Sequence, residues 1–304
     1  MRIVCKKAAQ DYDSTNTFSN IPGGTEMKVT TKTWTTLGLA TALASAGLAG
    51  CAGEAGEGEG GEAAQTGEAG ESGESGEGEG GEGEGGGGEG GVAVGAAGTD
   101  PVVYGSALAI AEAHVIAARD AHKAGNTEAA AEMFGHPVSE VLADLGPVFT
   151  DLGVEDMAPL FNGASKAVLD GENTAAIEKR AGDIIAALRA AGEKAPDNGT
   201  SAAMISAGIA ADQIERAATM YGEAVEGKIY GPYLDGYGFY QSAKAAFDGS
   251  ADAIKAEDAD VASKIEAALD VLGKAYPSAT LPENLDANQG ELQGASSAVM
   301  LAIG

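Results

Sequence analysis

Apolar residues recur at helical spacing from residue 100 to the end of the 304-residue chain. The first apolar face advances by 4, 3, 4, 3 and 4 residues, through Tyr104, Leu108, Ala111, Val115, Ala118 and His122. This spacing is typical of one face of an α-helix. The preceding Asp100-Pro101 pair favours a helix start, since Asp caps free N–H groups and Pro is tolerated in the first turn. The pattern predicts a helix that begins at Pro101 and is ended by Gly125.

Similar patterns predict helices along the rest of the chain, at 127–134, 137–145, 156–169, 173–191, 201–227, 261–276 and 292–303. We interpret His136-Pro137 as a helix start and Gly146-Pro147 as a break or bend, because proline removes a helical hydrogen bond. The segment after residue 227 reads as a connection broken by glycine, followed by a helix that ends at Phe247. No run of alternating β-branched residues predicts a strand.

These patterns predict an all-α fold. About 200 residues of short and medium helices favour a compact antiparallel bundle, either single or made of two sub-bundles hinged at 192–200. No stretch of 18 apolar residues occurs in the sequence, so we expect no ordinary membrane-spanning helix.

A different pattern precedes the predicted bundle. After Met27 come Lys28 and Lys32, a mild apolar run at 37–49, and then Leu48-Ala49-Gly50-Cys51. This is the layout of a secretory signal. The last four residues resemble the lipobox of bacterial lipoproteins. The resemblance implies acylation of Cys51, cleavage before it, and anchoring in the cell envelope. Ala52 at the next position favours the outer membrane, facing the periplasm.

Four segments follow from this layout. Residues 1–26 contain no apolar core, and we interpret them as an overextended start upstream of Met27. Residues 27–50 are the signal peptide, and residues 51–99 are an anchor and linker. Between 52 and 91 the linker has 12 Glu, 19 Gly and no Lys or Arg. Such a composition has almost nothing to bury, so we expect a disordered spacer rather than a calcium-binding tract. Residues 100–304 form the helical domain.

The formal net charge of the chain is −28. A surface of this charge repels nucleic acid, and it favours cations or basic partners beyond its plain effect on solubility. We therefore expect no nucleic-acid partner.

All three histidines of the chain, His114, His122 and His136, fall within 23 residues. Glu112 and Glu140 lie close to two of them in sequence. Imidazole and carboxylate groups on facing helices of a bundle can hold a transition-metal ion. The candidate ligands are therefore His114, His136, Glu112 and Glu140. The alternative is that His114 packs in the core and His136 caps a helix.

Five tyrosines also lie close together in sequence, between residues 221 and 240. A segment rich in tyrosine and loosened by glycine can line a ligand pocket, with phenol groups as orienting donors. The candidate pocket residues are Tyr233, Asp235, Tyr237 and Tyr240. The alternative is that these rings fill space among many alanines.

An anchored helical domain with a His/Glu segment and a Tyr/Asp segment resembles the imelysin-type envelope proteins. The resemblance implies an all-helical, two-bundle protein associated with iron uptake. That family carries a Gly-x-His-x-x-Glu motif. The nearest stretch here is 135–140, GHPVSE, in which the Glu stands one residue further along.

Two functions follow. The first is a lipid-anchored envelope protein whose helical domain binds a ligand, a metal ion as in iron uptake. The alternative is a non-catalytic structural or adaptor lipoprotein that binds another envelope protein. We do not expect an enzyme, because the sequence has no phosphate-binding loop, dinucleotide fingerprint, nucleophile elbow or zinc-protease helix. Metal binding requires the His and carboxylate groups to converge in space, whereas an adaptor does not.

Overall fold

The structure is a computed structural model that describes residues 94–304, all within one compact unit of the chain. The predicted start at Met27, the signal peptide, Cys51 and most of the linker lie outside the described residues. Residues 94–99, the end of the predicted linker, form a short helix and a turn, and Ala97 is buried in the core.

The described residues form eleven α-helices and one π-helical segment, with no strand among them. In chain order these are α1 (Val94–Ala97), α2 (Pro101–Lys123), α3 (Thr127–Pro137), π1 (Val138–Leu142), α4 (Ala143–Leu152), α5 (Ala158–Leu169), α6 (Thr174–Gly192), α7 (Ala202–Gly227), α8 (Tyr230–Asp248), α9 (Ala251–Glu257), α10 (Ala259–Ala275) and α11 (Gln289–Ile303). The prediction of an all-α fold is confirmed.

The predicted starts of α2, α6 and α7 are confirmed, and the start of α10 lies two residues before the predicted one. Asp100 accepts hydrogen bonds from the N–H groups of Val102 and Val103 at the start of α2. Asn173, Ser201 and Asp258 accept equivalent bonds at the starts of α6, α7 and α10. Each cap satisfies N–H groups that have no partner inside the helix.

The prediction of a helix start at His136-Pro137 is wrong. α3 continues through Pro137 directly into π1 and then α4, and Pro147 also lies inside a helix. Proline deletes one helical hydrogen bond and crowds the preceding turn. The π-helical segment begins directly after Pro137. Helices commonly accommodate a local irregularity of this kind with one π-helical turn.

The glycine-rich connection predicted after residue 227 is helical instead, because α8 runs without a break from Tyr230 to Asp248. Two of its glycines stand where another element lies very close. A Cβ atom on Gly236 would lie 1.9 Å from the hydroxyl of Tyr276, and one on Gly238 would lie 2.5 Å from the backbone oxygen of Ala113. Close packing therefore outweighs the poor helix propensity of glycine in this segment.

The central helix of the bundle is α2, which packs against α3, α6, α7 and α8. α7 packs in turn against α8, α10 and α11. The two halves of the bundle share α2, so they are not separate sub-bundles hinged at 192–200. The core of both halves is rich in alanine, which lets the helix axes approach closely.

By length and composition alone, α2 could also cross a membrane, contrary to the expectation from the sequence. Within the fold, 78 % of its most apolar stretch is buried. Because neighbouring helices cover α2, its apolar composition is explained by its central place in the core.

Candidate metal centre

Three elements of the bundle bring a group of ligand-type side chains together. His114 lies on α2, His136 near the end of α3, and Asp235 on α8. One ligand atom from each of these three residues lies within 4.8 Å of the other two. The imidazole rings of His114 and His136 have centroids 5.7 Å apart. The predicted convergence of these two histidines therefore occurs in the structure.

Glu140, carried by π1, also reaches this group. Its Oε2 atom lies 3.8 Å from Nε2 of His114, and Oδ1 of Asp235 lies 3.5 Å from the same nitrogen. Two ligands of a tetrahedral site with bonds of about 2.1 Å are about 3.4 Å apart. The spacing around Nε2 of His114 is thus close to that of ligands that share one cation. We call His114, His136, Glu140 and Asp235 the metal cluster.

The tautomer of His114 is set by its own helix. Nδ1 lies 2.8 Å from the backbone oxygen of Ile110, one turn earlier. A carbonyl oxygen only accepts, so Nδ1 carries the proton and the neutral ring keeps a free lone pair on Nε2. Histidine ligands of metals are oriented by this kind of hydrogen bond from the other ring nitrogen.

Burial keeps this imidazole neutral. The side chain of His114 has no exposed surface. Desolvation lowers the pKa of His114 from 6.5 to about 4, with smaller depressions from His136 and Arg216 and an opposing contribution from the bond to Ile110. The 3.5 Å approach of Asp235 to Nε2 is therefore not an ion pair at neutral pH, because the imidazole carries no charge.

The buried nitrogens of the two histidines lack ordinary partners. Nε2 of His114 and Nδ1 of His136 are buried without a hydrogen-bond partner in the described part of the chain. Leaving such a group unsatisfied costs about 1–3 kcal/mol. Nε2 of His114 faces carboxylate oxygens, which also accept when ionised. A cation bound here would engage the lone pair of Nε2, and imidazole and carboxylate are both ligand types for a metal ion, so the donor set fits one.

Two irregular features of the helices position the ligands. Pro137 and the first two residues of π1 lie between His136 and Glu140, so the two side chains do not follow α-helical spacing. On the other side, Gly238 lets α8 approach the backbone of Ala113, which immediately precedes His114. That approach brings Asp235, which is only 2 % exposed, to the imidazole of His114.

A positive side chain lies near the metal cluster. The guanidinium carbon of Arg216 is 6.0 Å from the centroid of the Phe239 ring. Phe239 in turn packs edge-on against His114, with ring centroids 5.7 Å apart. Nε of Arg216 donates to Oδ2 of Asp212 over 3.0 Å. No sequence signal singled out Arg216, because its relation to His114 depends on how α7 packs against α2.

Glu112, the remaining predicted ligand, does not belong to the metal cluster. It forms an ion pair with Arg189 of α6, with 2.6 Å between Nη2 and Oε1. Residues two apart on a helix point in different directions, about 200° apart around the axis, so Glu112 and His114 cannot face the same site. The geometry thus favours Glu140 over Glu112.

The predicted tyrosine pocket does not form, because its members point to different partners. Tyr233 donates to the backbone oxygen of Ser278, Tyr237 donates to Asp120, and Tyr240 stacks on Tyr276. The fourth member, Asp235, belongs to the metal cluster instead. A carboxylate such as Asp235 within a buried, apolar helix is a sequence signal for a binding site. The sequence does not reveal, however, which other helix faces this carboxylate. The predicted lipidation site, Cys51, lies outside the described residues.

Comparison with known protein families gives a match in the second half of the bundle. Residues 196–302 match the family model described as an iron permease-associated 4-helix bundle domain. This segment contains α7 to α11 and therefore includes Asp235, whereas His114, His136 and Glu140 precede it. Searches of curated proteins and of solved structures found no match to the chain. The match covers about a third of the chain, and it agrees with the packing of α7 against α8, α10 and α11.

Proposed function

We propose that this protein binds a transition-metal ion at the metal cluster as a non-catalytic component of iron uptake. The observation that carries the proposal is the unsatisfied, buried Nε2 of His114, which faces the carboxylates of Asp235 and Glu140. Imidazole and carboxylate together suit iron, zinc or copper better than calcium, which prefers oxygen ligands. The match to an iron permease-associated bundle supports iron as the cargo.

The same proposal includes a place and a partner. The lipobox at Cys51 and the signal before it support anchoring of the chain in the cell envelope, with the outer membrane favoured by Ala52. The family description supports a membrane permease as the protein that receives the ion.

The test is a metal titration of the purified full chain. Wild type, His114→Ala and His136→Ala are titrated with Zn²⁺ and, anaerobically, with Fe²⁺, and heat of binding is measured. We expect both variants to lose at least about 100-fold in affinity, since each removes a ligand. His122→Ala is the matched control, because His122 lies two turns beyond His114 on α2 and outside the metal cluster. Equal affinity in all four proteins contradicts the proposal.

A second candidate function is docking of another envelope protein without metal transfer. It is favoured by two neighbouring apolar side chains on α11, Met300 and Leu301, which are 43 % and 85 % exposed. Both lie within the segment that matches the iron permease-associated bundle. The variant Leu301→Glu distinguishes the two functions. If the protein acts only by docking, this variant should lose the function of the protein in cells, although its metal affinity stays that of wild type.

A further inference from the structure

We propose that a groove along α2 binds a small molecule that carries a primary amine at one end of an apolar body. The groove has a volume of about 540 Å³. Cavities of about 300–1,000 Å³ are typical of small-molecule sites in proteins. Among the residues that the structure describes, those that line the groove include no member of the metal cluster. The inference therefore goes beyond the proposed function and does not depend on it.

The floor of the groove is one face of α2. Gly105, Leu108, Ala109 and Glu112 line it, and their spacing places them on the same side of the helix. α6 and α8 both pack against α2 but make little contact with each other, so this stretch of α2 stays open between them. Seven residues of helix make the floor about 10 Å long.

The middle of the groove is lined by apolar side chains, most of them short. Leu108 and Ala109 form the floor here, and Leu188, Ala245 and Ala246 belong to the walls. An apolar body that fills this space removes its own surface and that of the walls from water, which favours binding. We therefore expect the ligand to have an apolar body of about the length of the floor.

One end of the groove carries a carboxylate. The side chain of Glu112 is 12 % exposed, and its Oε1 accepts from Nη2 of Arg189 over 2.6 Å. Nε of Arg189 lies 3.5 Å from Oε2 of Glu112, at the limit of a hydrogen bond. A carboxylate has about four lone-pair sites, so Glu112 can accept from an ammonium group of a ligand while it keeps Arg189. A bond of this kind is charge-assisted and strong.

The opposite end of the groove carries hydroxyl groups. Ser250 donates to Oγ of Ser206 over 3.0 Å, and the proton of the Ser206 hydroxyl is not used in that bond. Ile209, one turn after Ser206 on α7, lies against Gly105 at the end of the floor away from Glu112. These hydroxyls can bond to a polar group at the far end of a ligand whose amine is at Glu112.

The charge of the lining favours an amine over an acid. Two acids and one arginine line the groove, Glu112, Glu193 and Arg189, so the lining carries a net negative formal charge. Such a charge attracts cations and repels anions. A ligand carboxylate would also compete with Glu112 for Arg189. The groove therefore selects a cationic amphiphile.

The experiment titrates the full chain, with chelator present, with octylamine and with two probes of the same chain length, octanol and octanoate. Heat of binding is measured below the concentrations at which the probes aggregate. We expect octylamine to bind with 1:1 stoichiometry. Octanol should bind at least about 10-fold more weakly, because it cannot form the charge-assisted bond, and octanoate more weakly still. Absence of octylamine binding, or octanoate binding of equal strength, overturns the inference and leaves the proposed function standing.

Filling the groove tests where the amine binds. Ala109→Leu fills the floor, and we expect octylamine affinity to fall at least about 10-fold because the apolar body loses its place. Ala246→Leu fills the same space from the wall and serves if the first variant misfolds. Ala267→Leu is the matched control, because Ala267 is exposed on α10 and does not line the groove. Wild-type affinity in the folded groove variants would place the amine elsewhere on the acidic surface and overturn the inference.

The variant Glu112→Gln tests the charged end by itself. We expect its affinity for octylamine to fall to that for octanol, because the carboxylate partner of the ammonium group is lost. Glu172→Gln is the matched control: it removes the same charge from an exposed ion pair with Arg180, and we expect no change. Unchanged octylamine affinity in Glu112→Gln contradicts the inference. Circular dichroism checks that each variant is folded.

Discussion

Two buried polar regions of this bundle differ in how their polar atoms are satisfied. In the tyrosine region, made up of Tyr221, Tyr233 and Tyr276, each hydroxyl has a protein partner: Tyr233 donates to Ser278, Tyr276 donates to Ala217, and Tyr221 accepts from the N–H of Ala287. In the metal cluster, Nε2 of His114 and Nδ1 of His136 have none in the described residues. The tyrosine hydroxyls are thus satisfied within the protein, whereas these two imidazole nitrogens are not.

This difference separates a structural role from a binding role. Both regions looked like candidate sites in the sequence, because both concentrate chemically active residue types. Buried polar groups are normally hydrogen-bonded, and each exception calls for a physical reason. Under the proposed function, a bound cation is that reason for the metal cluster, whereas the tyrosine region needs none.

The largest expected effect concerns acid sensitivity of the metal-free protein. The pKa of His114 is lowered by burial from 6.5 to about 4, so the unfolded chain binds this proton more readily than the folded one. Stability is therefore fully present above pH 6.5 and is lost as pH falls toward 4, by up to about 3 kcal/mol.

Urea unfolding in the presence of chelator, at several pH values between 4 and 7, measures this loss. His114→Gln cannot titrate, so its stability should change less over that window than wild type. The groups that face His114 from other elements, Glu140, Asp235, His136 and Arg216, are present in both proteins, so the difference between the two profiles reports the titration of His114 together with its coupling to these groups. Parallel pH profiles for the two proteins would show that His114 is not held neutral by the fold.

The next effect is stabilisation by metal. A ligand that binds only the folded state adds about 2.7 kcal/mol at a free concentration of 100 Kd. For a domain of this size we expect the Tm to rise by about 5–10 °C on addition of Zn²⁺. Differential scanning fluorimetry measures this shift. His122→Ala should show the full rise and His114→Ala none, and a rise of equal size in His114→Ala would place the ion elsewhere.

A smaller effect is expected from Gly238→Ala on α8. The added Cβ would lie 2.5 Å from the backbone oxygen of Ala113, so the two helices must separate. Overpacking of this kind costs about 1–3 kcal/mol. Separation also moves Asp235 away from His114, so metal affinity should fall although no ligand is removed.

Gly231→Ala on the same helix is the matched control, because no atom lies within 4 Å of its added Cβ. Its stability should be unchanged or slightly raised, and its metal affinity should equal that of wild type. If Gly238→Ala lowers stability but binds metal like wild type, the α2–α8 approach does not position Asp235.

The smallest effect is expected in the tyrosine region. Tyr276→Phe removes the hydrogen bond of 2.7 Å to the backbone oxygen of Ala217. The expected loss of stability is about 1 kcal/mol, the typical net value of one such bond. Metal affinity should not change, because the ring stays in place and no ligand is lost. A fall in affinity similar to that of His136→Ala would remove the distinction between the two regions.

The sequence was most informative where structure is decided locally. The helix starts at Asp100, Asn173 and Ser201 follow from side chains that cap the adjacent N–H groups, and all three could be predicted from the sequence. Local sequence signals gave wrong predictions where tertiary packing outweighs the conformational preference of single residues. The proline at 137 reads as a helix start, yet α3 passes through it, and the glycines of α8 read as a broken connection, yet the helix is continuous.

The site was predictable only in part, for the same reason. His114 and His136 lie 22 residues apart, so packing of adjacent helices could be expected to bring them together. Asp235 is 121 residues from His114, and its role depends on a close contact between α2 and α8 that no periodicity encodes. Glu112, in contrast, could have been rejected from helix geometry alone, since it points away from the face of His114.

The most direct test of metal binding at this cluster is a crystal structure of the protein soaked with Zn²⁺, with anomalous diffraction recorded on both sides of the zinc absorption edge. We expect one strong anomalous peak about 2.0–2.2 Å from Nε2 of His114, from an imidazole nitrogen of His136 and from a carboxylate oxygen of Asp235, with Glu140 completing or closing the site. A fully occupied peak elsewhere on the bundle, with Nε2 of His114 still unligated at saturating zinc, would contradict the account.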